Sequence, residues 1–266
     1  MLKLFSIEWM KVKSYRTFWV LFGGFIIFFP VSLYFSANRF MASSSSQQEN
    51  MLKSWLGNPF EFPRVWQSSA YFGGLFFIMI GMLFIMLITN EVQYRTHRQN
   101  IIDGWSRTDF LKAKLSMLIF LVLSATLLVF LCGFWIGNLY GSANSAAMTE
   151  GIYFVGYFAL MATMYLMVAF LIAILIKRTG LSIIIYFAFV CIIDNILWLI
   201  FTLKESQMGY FLPLESTDSL VPNPFKPSAL ERRTVSDMTL IITALAYILL
   251  IGFIIRNYFK KIDLKT

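Results

Sequence analysis

The residues equipped for chemistry in this chain gather in two places. From Asn90 to Lys114 the chain reads NEVQYRTHRQNIIDGWSRTDFLKAK, with five basic residues, three acidic ones and the only histidine, His97. Asp194 and Asn195 stand side by side inside an otherwise apolar run. The first stretch mixes both signs of charge with Ile101, Ile102, Trp105 and Phe110. An apolar centre with a charged rim is what a docking surface needs. The plainer use of the same residues is a connection whose charges face only water and lipid headgroups. A carboxylate in hydrocarbon is costly unless it meets water or a partner. Asp194 is therefore expected on a path through the membrane or at a subunit seam, or else holding a structural hydrogen bond to a neighbouring span or lying shallow enough to reach water near the outer leaflet.

Neither place offers an enzyme's constellation. The chain has no G-x-x-x-x-G-K-[ST] loop to cradle nucleotide phosphates, no H-E-x-x-H and no G-x-S-x-G. His97 sits among charges, where a surface residue is expected. Cys132 and Cys191 fall within apolar runs and read as small core residues, with no disulfide or metal role. Catalytic, cofactor-binding and metal-binding residues are therefore all expected to be none.

The elements that position these residues are membrane spans. Of 266 residues, 58% are hydrophobic and 14% charged. A soluble fold could not hide that much apolar surface. Six runs reach the length of about 20 residues that a helix needs to cross a bilayer. They lie at 17–37, 69–90, 115–138, 153–176, 181–201 and 238–255. They are continuously apolar where a transmembrane strand would alternate, so helices are expected. The first run has the length of a full span, and no cleavage site follows a shorter core, so no cleavable signal is expected.

With six spans both termini share a side. That side carries fifteen Lys and Arg, against seven on the other. The positive-inside rule puts it in the cytoplasm. The net charge of +8 is then mostly a topology signal, and nucleic-acid binding is excluded as an explanation. Residues 1–16 place Leu2, Phe5, Trp9 and Val12 on one helical stripe, with Leu4 and Ile7 off it. This predicts a helix lying on the inner membrane surface, in contact with lipid.

Pro30 should kink the first span or leave a gap in its bonding. Gly133, Gly137 and Gly141 give the third span a flat face for close packing, expected within the chain. The loop 202–237 holds Pro213, Pro222, Pro224 and Pro227 and is long enough to carry structure of its own. Between spans two and three, Gly104 offers a helix stop, and Ser106 with Asp109 a capping box. The region reads as helix, tight bend and helix: a firm elbow.

The elbow resembles the segment after the second span in type-2 ATP-binding-cassette exporter permeases. Asn90, Glu91, Tyr94, Thr96, Arg98, Ser106, Arg107, Phe110 and Lys114 carry the likeness, and Glu8 and Trp9 before the first span agree with it. The resemblance implies a single permease domain over 1–266. It implies a homodimer or heterodimer of permeases working with a separate ATPase subunit that binds the ATP and Mg. Arg98, Gln99, Ile102, Asp103, Trp105, Arg107 and Phe110 would form the docking elbow, or coupling helix. Glu8 and Trp9 would belong to a connecting helix, and Asp194 and Asn195 would lie on the path or the dimer seam. The expected function is ATP-driven export across the cell membrane. An ion-coupled secondary transporter and a non-transporting scaffold or sensor are the alternatives. The cargo is not legible.

Overall fold

The computed structural model describes residues 2–42, 57–93, 107–141, 148–226 and 235–261. It is helical, with no strand among the described residues. A short helix, α1 (Leu2–Lys13), precedes α2 (Arg16–Met41), α3 (Val65–Gln93), α4 (Arg107–Tyr140) and α5 (Tyr153–Ile176). The next span is built in two pieces, α6 (Thr179–Ala188) and α7 (Asp194–Leu203), joined by a π-helical turn at Phe189–Ile193. A 3-10 turn at Gln207–Phe211 and α8 (Glu215–Asp218) lie in the following loop, and α9 (Asp237–Lys261) closes the chain.

Six helices, counting α6 to α7 as one, are long and apolar enough to cross a membrane. Helical hydrogen bonding satisfies their backbone internally, as hydrocarbon demands. Most exceed the apolar runs that announce them. The second begins at Val65 and the third at Arg107, because helix continues into the polar flanks where hydropathy falls. The helix runs unbroken through Pro30.

The bundle is organised around α3 and α5. The most apolar window of α5 is 61% buried, whereas that of the split span is 17% buried. α3 packs against α2, α4, α5 and α6. It can do so because glycines notch its surface. At Gly73 a Cβ would press on Val129 and Phe158, and at Gly81 it would collide with the Tyr186 hydroxyl. Rings fill the remaining space: Phe77 meets Phe25 at 6.1 Å and Phe158 at 5.7 Å, both edge-on. The expected flat face of the third span is closed within the chain, with Gly133 against Trp66 and Gly137 against Phe62. Cys132 and Cys191 are free thiols.

Replacing Gly81 by Ala drives a methyl into the Tyr186 hydroxyl. We expect a loss of about 1–3 kcal/mol, the usual range for overpacking. Tyr186→Phe should recover much of it, read as the thermal unfolding midpoint in detergent.

Candidate functional site

The charged elbow grows from two roots, the end of α3 and the start of α4. Both are tied to α1. Glu8 lies on α1 and is 2% exposed; Lys114 lies on α4 and is 1% exposed. Lys114 Nζ donates to Glu8 Oε2 at 2.5 Å and stands 2.9 Å from Glu91 Oε1. Lys11 Nζ donates to Glu8 Oε1 at 3.1 Å and to Glu91 Oε1 at 3.0 Å. Each acid touches both bases and each base both acids. The result is a closed, neutral ring of four charges joining three helices.

Neutrality is what makes the burial tolerable, since an unpaired ion there would be far more costly. Burial pushes the Glu8 carboxyl up, but Lys114 and then Lys11 outweigh it and hold it below the usual carboxylate range. Burial also pulls the Lys11 ammonium down, and Glu91 and Glu8 outweigh that and raise it. Lys114 additionally sits over the Phe110 ring, 5.4 Å from its centre.

The local sequence explains the docking of α1. Phe5, Glu8, Trp9 and Val12 share one face of a 3.6-residue helix, so the charge emerges from an aromatic seat. Trp9 packs on Phe120 of α4 at 5.2 Å and on Phe18 of α2 at 6.2 Å. Phe5, Trp9 and Val12 of the stripe expected to lie on lipid thus face protein. Beside the ring, Asn90 Nδ2 donates to the Tyr15 hydroxyl at 2.9 Å. The Thr179 hydroxyl is 3.3 Å from Asn90 Oδ1 and 2.9 Å from the Thr89 hydroxyl. The Asn90–Glu91 pair therefore fastens α3 to α1, α4, the joint before α2, and the start of α6.

Residues 4–195 match the family described as ABC-2 family transporter protein. The chain belongs to that family. No curated protein matches it. The chain is accordingly a multi-pass membrane permease of an ABC transporter, the membrane component that pairs with an ATP-binding-cassette subunit.

Within this permease the expected site residues separate. Glu8 and Trp9 are both in the α1 seat. Arg98, Gln99, Ile102, Asp103 and Trp105 lie outside the described residues, as does the bend at Gly104. Arg107 opens α4. Phe110 is buried against Phe259 of α9, ring centres 5.4 Å apart. Sequence reasoning missed Lys11 as a partner of Glu91, because the pair is 80 residues apart.

Asp194 and Asn195 diverge too. Asp194 is 3% exposed, and its carboxylate faces the backbone N–H groups of Leu214 and Glu215 in the loop after α7. Asn195 is exposed, and its amide donates to Val190 O at 3.1 Å, a carbonyl of the π turn. The loop is fastened further by Tyr165 to Asp218 Oδ2 at 2.8 Å, Tyr247 to Phe211 O at 3.0 Å and Gln67 to Pro222 O at 2.9 Å. Burial pushes the Asp218 carboxyl far above the carboxylate range, with Glu215 adding to it. Burial likewise lifts Glu215 to about 7, with Asp194 adding to it and Ser219 and Lys226 opposing.

Two expectations follow. Lys114→Met leaves Glu8 buried without its nearest cation and should cost about 3–5 kcal/mol. Adding Glu8→Leu should restore part of that, read by thermal unfolding of both variants. For Glu215, the folded loop binds its proton more tightly than the open loop does. Docking should therefore be firm at and below about pH 4.5 and weaken as pH rises through 7, and the Asp218 carboxyl, lifted further, carries the loss to higher pH. Amide exchange in 207–226 at pH 5 and pH 8 measures this, and Glu215→Gln should reduce the dependence without abolishing it.

Proposed function

We propose that this permease is the membrane subunit of an ATP-driven exporter. Two permeases, alike or related, pair in the cell membrane with both termini in the cytoplasm. A separate ATPase subunit, which holds the ATP and Mg, seats the 94–106 segment, and closure of the ATPase pair rocks the spans between inward- and outward-facing states. The observation that carries this reading is the four-charge ring. It braces both roots of that segment, at Glu91 and Lys114, against α1. A push on the segment then cannot be absorbed by one root sliding past the other. It passes to α3, and through Asn90 and Thr179 to the foot of α6. Force transmission of this kind needs rigid elements joined by specific contacts.

Charge reversal at Arg98 or Asp103 should lower transport-coupled ATPase activity about tenfold, a normal size for a coupling energy. The protein should still insert and bind its cargo. Membrane-fraction blots and ATPase assays of the complex in vesicles read both. Transport that continues unchanged after both reversals, or after ATP is exhausted, refutes the assignment.

A further inference from the structure

α2 and α4 meet at their two ends and part between them. At one end Tyr34 stacks on Trp135, ring centres 5.8 Å apart and planes within 16°. At the other, Trp9 bridges Phe18 and Phe120. Between these aromatic closures lies a fissure of about 200 Å³, walled by Phe22, Phe25 and Ile26 of α2 and by Ser124, Leu127 and Leu131 of α4. The one polar side chain among these six gives its hydrogen inward, Ser124 Oγ to Leu121 O at 3.0 Å. The wall therefore offers water nothing. Both helices are membrane spans, and Ile26, Leu127 and Leu131 are exposed at its edge. At that depth the available filler is hydrocarbon.

The charges at the α1 end say which hydrocarbon. Of the three cations between Lys11 and Arg16, Lys11 is bound in the ring. Lys13 and Arg16 are exposed and have no acidic partner among the described residues. Trp19 stands just above them, half exposed, with its indole N–H fixed on Lys13 O at 3.0 Å, as an interfacial tryptophan should be. From Arg16 to Ile26 the helix climbs about 15 Å at 1.5 Å per residue. That is about half of a hydrocarbon core roughly 30 Å thick, the reach of one leaflet's chain.

We propose that the α2–α4 fissure is a binding site for an anionic phospholipid of the leaflet at the α1 side. Its phosphate meets Lys13 and Arg16, its glycerol region lies at Trp19, and one acyl chain enters the fissure between the aromatic closures. The site is independent of how the permease is driven. It requires only the two spans and the paired basic residues, so it stands or falls apart from the ATP-coupled reading.

The test uses the full-length chain in vesicles of equal parts phosphatidylcholine and phosphatidylglycerol. One or the other lipid carries a photoreactive diazirine at mid-chain. The phosphatidylglycerol probe should label residues 22–26 and 124–131 about tenfold more than the phosphatidylcholine probe, in line with two cations near a headgroup. Lys13→Gln with Arg16→Gln should bring the two probes level at those residues. Leu127→Trp, at an exposed position on the wall, should reduce labelling there by either probe and leave it unchanged on α9. Equal labelling of the wild-type protein by both probes overturns the proposal. So does label spread evenly over the lipid-facing spans, or label absent from both segments because another protein chain covers them. Should the tryptophan variant fail to insert, the charge variant decides alone, since it changes only exposed side chains.

Discussion

Four charges at the foot of the bundle hold together parts that nothing else would hold in register. α1 meets the spans through rings, and rings on rings slide. The Glu8–Lys114–Glu91–Lys11 circuit does not slide, because a shift of one turn would leave a buried carboxylate facing a buried carboxylate. A hydrophobic seam of the same shape could match or exceed it in stability. What the ionic version adds is a single permitted position for α1 against α3 and α4. The aromatic seat supplies attraction and the ring supplies register.

From that foot upward, α3 distributes the constraint. Its glycine notches let Val129, Phe158 and Tyr186 approach closer than any side chain would allow. In hydrocarbon, where burying an apolar side chain against protein gains little over lipid, such close contact is the main source of cohesion. α2, the α6–α7 span and α9 stay at the edge and leave broad apolar faces outward. The Tyr186 hydroxyl set on Gly81 packs α6 against the hub near its last turn. The Thr179 contacts lock its first residue. α6 therefore follows α3.

The spans were legible because continuous apolar runs have one physical use, and their ends were less so because helix outlasts hydropathy. The roots of the elbow could be read as motif letters: Glu91 and Lys114 both belong to the pattern that pointed to the family. That they meet each other, and that Glu8 and Lys11 complete a ring with them, was hidden by separation along the chain; an i, i+3 pair such as Glu8 and Lys11 looks like ordinary helix-surface decoration. Phe110 has partners that its neighbours in the chain do not announce. A ring beside charges reads as the centre of a docking surface, and in the fold it lies beneath Lys114 and against Phe259. For Asp194 the sequence left a path, a seam, a bond to a neighbouring span or a shallow position near water, and the groups it faces in the fold are loop amides, which no spacing rule would have picked out.

Those amides bear on how the split span behaves. At the π turn the regular ladder is interrupted, and Asn195 adds a side-chain donor to a carbonyl of that turn. One residue earlier, Asp194 turns the other way and faces the amides of Leu214 and Glu215, where α8 begins. The two neighbours thus divide the work of a joint, one repairing the backbone and the other fastening what lies beyond it. α7 packs chiefly on the 3-10 turn and the π turn, whereas α6 packs on α3 and α5. The α7 half of the span accordingly belongs mechanically to the loop, and the α6 half to the hub. The π turn is where the difference is taken up.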